Sequence, residues 1–136
     1  MFYFLALENC NMFFSKPAEY KEGATYYATG TKKIQKEGQH KILLAYSIPD
    51  GTLTWRYPQV GKGTSWGGTL ATAGGLVLFG DDTGSFSAVD ASTGHPLWEF
   101  NTGQTVRASP MSYEVDGVQY VAIAAGSDVI SFSLPH

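Results

Sequence analysis

Beyond Lys41 the chain is written in short apolar runs separated by turn residues, a spacing that predicts strands rather than helices. In the central stretch the runs predict strands at 68–73, 75–80, 84–90 and 97–101. Gly74-Gly75 supplies a tight hairpin, Asp82-Thr83-Gly84 a second turn, and Ser92-Thr93-Gly94 a third in which the glycine is free to take positive φ. Upstream, 2–7, 42–48 and 53–57 predict three more strands; downstream, 108–113, 119–125 and 128–133 predict another three. The intervening 8–41 is polar, Lys-rich and spotted with Gly, without a sustained apolar period. It is expected to be a long loop, with Tyr26-Tyr27 as its anchor.

The runs repeat. Residues 45–55 lie over 88–98 at an offset of 43 residues without a gap, so Ala45 meets Ala88, Gly51 meets Gly94 and Trp55 meets Trp98. Tyr57 falls on Phe100, and a third copy at the same offset puts Ser131 under Ala88 and Val129 under Phe86. Four strands in such a period describe a propeller blade. Each shared residue has a physical role: the small Ala leaves room beside its strand, the Gly makes the turn, and the Trp crosses to the neighbouring blade, where its indole N–H needs an acceptor. The bland alternative makes Trp55 and Trp98 ordinary core aromatics of a sandwich, which leaves the constant register unexplained. The expected fold is all-β, a partial β-propeller of about two to three four-stranded antiparallel blades. Its expected parts are an incomplete blade over 1–66 holding the 8–41 loop, a complete blade over 67–107, and an incomplete closing blade over 108–136. An open arc leaves strand edges and blade faces uncovered. The chain is therefore expected to be the C-terminal part of a larger ring, or to assemble with other chains, and to be aggregated or only partly folded by itself.

Composition agrees with a folded β chain of about one domain: 136 residues, 43% hydrophobic, 15% charged, 14% aromatic, with 16 glycines. A net charge of −3 argues against a nucleic-acid partner, which calls for a concentrated Lys and Arg surface. The charge is unevenly placed, since Lys exceeds Glu up to Lys41 and acidic side chains dominate afterwards. Cys10 is the single cysteine, so neither an intrachain disulfide nor a Cys-rich zinc site is available. No apolar run approaches the roughly 20 residues that span a bilayer, and Met1–Leu7 lacks the basic flank and length of a signal peptide.

If the first strand of each blade lines a central channel, the segments leading into it share a face with the loops joining second and third strands. That puts Trp66-Gly67, Asp81-Asp82 and the 8–41 loop together. Gly67 and Gly68 would let backbone N–H groups approach a flat ligand, and Trp66 offers an aromatic plane; the bland reading is a turn into the blade. Asp81 and Asp82 have the makings of an acid and base pair or of hard metal ligands, but a double Asp ahead of Thr-Gly reads more simply as a solvated turn. Asp90 is expected to hydrogen-bond turn backbone. His40, His95 and His136 have no metal-ligand spacing and read as surface residues. Arg107 is either a partner for an anionic ligand or a rim charge, and the Lys-rich segment either guides an acidic protein or is simply solvated.

The pattern Ala-x-Asp-x-x-Thr-Gly-x-x-x-Trp, intact at 88–98 and altered in the first copy by Ser47 and Asp50, resembles the tryptophan-docking motif of PQQ-dependent (quinoprotein) alcohol dehydrogenases. Non-catalytic PQQ-repeat propellers share that motif. More specific is the string Trp66-Gly67-Gly68-Thr69-Leu70-Ala71-Thr72-Ala73-Gly74-Gly75-Leu76-Val77, followed by Phe79-Gly80 and by Gln119-Tyr120-Val121-Ala122. It resembles the C-terminal blades of the methanol and alcohol dehydrogenase branch, closely over 42–136 and loosely over 1–41. The resemblance implies an eight-bladed quinoprotein ring around PQQ, with calcium or a lanthanide ion held by residues outside this chain. It further implies a primary alcohol or related small substrate, a base outside these blades, an electron-acceptor protein such as a cytochrome c, and a periplasmic setting. Trp66 and Gly67 are then the cofactor-binding residues, with no catalytic residue and no metal ligand here, so the chain alone is expected to be inactive. The alternative is a non-catalytic PQQ-like scaffold or assembly factor. A sugar-binding β-module would need an exposed aromatic platform.

Overall fold

The computed structural model describes residues 1–8, 11–15, 17–26, 29–33, 40–61 and 67–134; Cys10, Tyr27, Trp66 and His136 lie outside the described residues. Among these residues there are twelve strands and no helix, hence no helix long and apolar enough to cross a membrane. The chain forms two compact units, one of 1–7 with 40–136 and one of 8–39.

The larger unit is three antiparallel sheets in chain order. The first joins β1 (Phe2–Glu8), β4 (His40–Tyr46) and β5 (Leu53–Pro58) in the order β1-β4-β5. The second joins β6 (Thr69–Ala71), β7 (Leu76–Gly80), β8 (Ser85–Asp90) and β9 (Pro96–Asn101) as β6-β7-β8-β9. The third is β10 (Met111–Val115), β11 (Val118–Ala125) and β12 (Asp128–Ser133). Every strand expected in 42–134 is present, with some ends trimmed and others moved outward or along the chain: the expected 42–48 is His40–Tyr46 and the expected 108–113 is Met111–Val115. β6 stops at Ala71 because Thr72 opens the hairpin, its Oγ1 accepting the Leu76 N–H at 3.2 Å.

The repeat is structural as well as textual. Ala45 pairs with Trp55 and Ala88 with Trp98, and in both ladders the register slips immediately after that Ala. The turns match bond for bond: Gly51 N–H donates to Ser47 O at 2.9 Å, and Gly94 N–H to Asp90 O at 2.8 Å. Side chains that alternate along a strand go to opposite faces. Val77, Phe79 and Val89 therefore pack with Leu43, Ala45 and Trp55 of the first sheet. Leu78, Phe86 and Ala88, pointing the other way, pack with Val106, Ile123 and Ala125. The middle sheet is thus covered on both faces, which explains the unbroken Leu-Val-Leu-Phe run of β7.

The segment 8–41 differs from the expected loop. In the smaller unit β2 (Asn11–Ser15) and β3 (Thr29–Lys33) pair antiparallel, Met12 opposite Lys32 and Phe14 opposite Gly30. The Phe14 ring lies over the site a side chain on Gly30 would fill. A glycine that weakens the strand by propensity is here the residue that lets the ring cover its neighbour. Tyr26, part of the expected anchor, meets Tyr20 edge-on at 6.2 Å and is half exposed.

Candidate functional site

One end of the larger unit gathers Gly67, Gly68, Asp81 and the segment that holds Arg107. Thr69 stands opposite Phe79, so Gly67 and Gly68, just ahead of Thr69, are level with Asp81, just past Gly80. The segment leading into β10 arrives at the same end, where Val106 bridges to Ala125.

Gly67 is required by a close approach of backbone. A Cβ there would stand 2.5 Å from the Ala108 carbonyl oxygen. The Gly68 N–H donates to Ser109 Oγ at 2.9 Å. What these two glycines admit within the described residues is the lead-in of the following sheet, where the sequence reading placed a flat ligand. Trp66, the other residue of that reading, lies outside the described residues. Beside this junction an open cleft of about 520 Å3 is lined by Thr105, Arg107, Ala108, Ala124 and Gly126. Arg107 is exposed there.

Asp81 corrects the expectation of a solvated turn. It is 4% exposed, and its Oδ2 accepts from Lys41 Nζ at 3.1 Å in an ion pair whose lysine side chain is 1% exposed. Its Oδ1 accepts from the Thr83 N–H at 3.0 Å, from Thr83 Oγ1 and from the Ser85 N–H. Burial pushes the carboxyl up, but the hydrogen bonds from Thr83 and Lys41 and the lysine charge outweigh it, and Asp81 sits below the usual range. Asp82 Oδ1 is 3.9 Å from the same ammonium. Sequence reasoning passed over Lys41 as one charge in a Lys-rich stretch. Parity was the signal: Lys41 shares its strand face with Leu43 and Ala45, which face the middle sheet.

Asp90 is a turn residue, as expected. Its Oδ1 accepts from the backbone N–H groups of Ser92 and Thr93 and from both hydroxyls. Those bonds, from Ser92 first and then Thr93, lower its carboxyl to about 2. His40 and His95 are exposed. Among the described residues no group of three or more His, Cys, Asp or Glu side chains is placed to hold a metal ion.

The two indoles share a register and differ in surroundings. Trp55 is 9% exposed, its N–H donates to the Ala91 carbonyl at 3.1 Å, and its ring occupies the space above Gly94, where a Cβ would come within 2.6 Å. Trp98 is 41% exposed and meets Phe132 edge-on at 5.2 Å. The reason is positional: the turn that receives Trp55 is at 91–94, and the same offset starts the turn for Trp98 at Leu134, the last of the described residues.

Successive antiparallel sheets of three or four strands, the first joined to the second by an indole on a turn, have the build of propeller blades, and the comparisons say of which family. Residues 44–121, more than half of the chain, match the family described as "PQQ: Glucose/ethanol/alcohol dehydrogenase, beta-propeller domain". The chain belongs to this PQQ-dependent dehydrogenase propeller family. It is 39% identical over 108 residues to quinoprotein alcohol dehydrogenase PedH of Pseudomonas putida, covering 79% of this chain and 18% of that protein. Its structure is similar to quinohemoprotein alcohol dehydrogenase from Comamonas testosteroni, with a TM-score of 0.78 and 29% identity over 93% of this chain and 20% of that one. A europium-containing methanol dehydrogenase matches with a TM-score of 0.74 and 27% identity, over 89% and 22% of the two chains. The chain thus spans about a fifth of the length of the relatives it matches.

Proposed function

We propose that these blades form part of the wall of a PQQ pocket, and pack its neighbouring blades, in a quinoprotein that oxidises a primary alcohol or related small substrate. The observation that carries this reading is the junction at one end of the sheets, where the Gly67-Gly68 lead-in is locked against Ala108 and Ser109 beside the Arg107 cleft. The residues suit the cofactor. PQQ is flat and carries carboxylates; Ala108, Ala124 and Gly126 give the cleft low walls, and Arg107 gives it a cation. Trp66 and Gly67 are the residues proposed to line the ring, Trp66 by its aromatic plane and Gly67 by letting the lead-in close against the Ala108 backbone. Bound PQQ supplies a two-electron acceptor for the alcohol carbon, and the protein supplies orientation and a dry wall.

Calcium or a lanthanide ion, and the base that takes the hydroxyl proton, are assigned to residues outside this chain. A cytochrome c as electron acceptor and a periplasmic setting follow from the family likeness. Trp55 on the Ala91–Gly94 turn acts as the docking tryptophan that rivets one blade to the next. The second reading, a non-catalytic scaffold, is favoured by the same rivet, since it serves packing alone. Trp66→Ala in the whole protein separates the two: the pocket reading expects weaker PQQ binding in a titration, and an unchanged titration favours the scaffold.

A further inference from the structure

We infer that Arg107 is a carboxylate-binding residue of the cleft, and that the buried Lys41–Asp81 pair is a positioning device that holds its backbone in place. The inference rests on the PQQ-pocket reading and names the group on this chain that meets the anionic edge of the cofactor.

The linkage is continuous. Lys41 on β4 reaches the turn between β7 and β8 and binds Asp81 Oδ2 at 3.1 Å. Thr83 and Ser85 hold the other carboxylate oxygen, so the whole turn is fixed. The Asp81 backbone carbonyl then accepts the Val106 N–H at 3.0 Å. Val106 is fully buried, and on the far side of Arg107 the Ala108 carbonyl is held against Gly67. Arg107 is therefore the exposed residue between two clamped neighbours, and it lines the cleft. A fixed base lowers the ordering cost of a planar, two-pronged cation meeting a carboxylate. Apolar side chains of like volume would pack this junction equally well, so a buried ion pair here is better explained by the direction it gives the turn.

The test is an equilibrium titration of the whole protein with PQQ, read by tryptophan fluorescence. Wild type is compared with Arg107→Ala, Arg107→Lys, the pair variant Lys41→Met/Asp81→Asn, and the pair variant combined with Arg107→Ala. Arg107→Ala is expected to weaken binding by about tenfold to a hundredfold, and Arg107→Lys to keep part of it as a point charge without the fork. The pair variant is expected to weaken binding roughly fivefold in the wild-type background and not at all once Arg107 is gone. Normal binding by Arg107→Ala, or a pair effect that persists without Arg107, would overturn the inference while wild-type binding keeps the pocket reading. Wild type that fails to bind PQQ would overturn both. Urea midpoints accompany each titration; should the pair variant not fold, Lys41→Arg goes through the same cycle with the same two outcomes.

Discussion

At Asp90 a single carboxylate oxygen gathers two backbone N–H groups and two hydroxyls, and the turn it ties is the seat of Trp55. A folded-state value of about 2 against the ordinary 3.8 means that folding favours the charged form. The contribution is complete above about pH 4 and is lost as pH falls through about 2. Carboxyl NMR is expected to give a midpoint near 2 for Asp90, and the thermal midpoint to fall across that same window; Asp90→Asn should flatten the second effect. Gly94 sits at φ +73° under the indole, so Gly94→Ala meets both the ring and a disfavoured backbone. Its unfolding free energy in urea should drop by about 1–3 kcal/mol, against about 1 kcal/mol for the N–H to Ala91 lost in Trp55→Phe. This turn was legible because its chemistry is local, with Asp, Ser, Thr and Gly inside five consecutive positions. The burial of Asp81 was not, because the lysine that makes it tolerable is 40 residues upstream.

Between elements, the Lys41–Asp81 pair is the contact with the sharpest asymmetry. Lys41→Met leaves a carboxylate buried without its cation and is expected to cost about 3–5 kcal/mol in urea unfolding, whereas Lys41→Met/Asp81→Asn should recover most of that loss. A single substitution no worse than the double would show that water reaches Asp81 when the lysine is gone. The strands of the three sheets were readable from short apolar runs and from the recurring turns. The β2 and β3 pair was not, since its strands are short, polar on β3 and interrupted by Gly30, and what joins them is the cross-strand cover of Phe14 on that glycine. The glycines at 67 and 68 were legible as a demand for close approach. Their neighbour was not, because nothing local to Trp66-Gly67-Gly68 announces that Ala108 and Ser109 will arrive there.

On the scale of the molecule, the middle sheet has two covered faces and the flanking sheets have one each. Leu97 at 53%, Trp98 at 41%, Phe100 at 40% and Val129 at 76% exposure are large apolar side chains left open to solvent, and Trp98 and Phe100 stack on one another. The 136-residue chain purified alone is expected to bind a hydrophobic dye and to elute as large assemblies, and a cooperative monomeric melt would count against its being part of a larger ring. The connection of Trp55 to Ala91 has a sense of direction: a stud on the first fin enters a socket on the next fin along the chain. Such a stack grows by whole blades, each bringing a stud and a socket together, while an insertion between strands, such as 8–39 between β1 and β4, leaves Trp55 in its socket. In-frame duplication of one complete blade should leave each indole seated, and a half-blade duplication should leave two adrift.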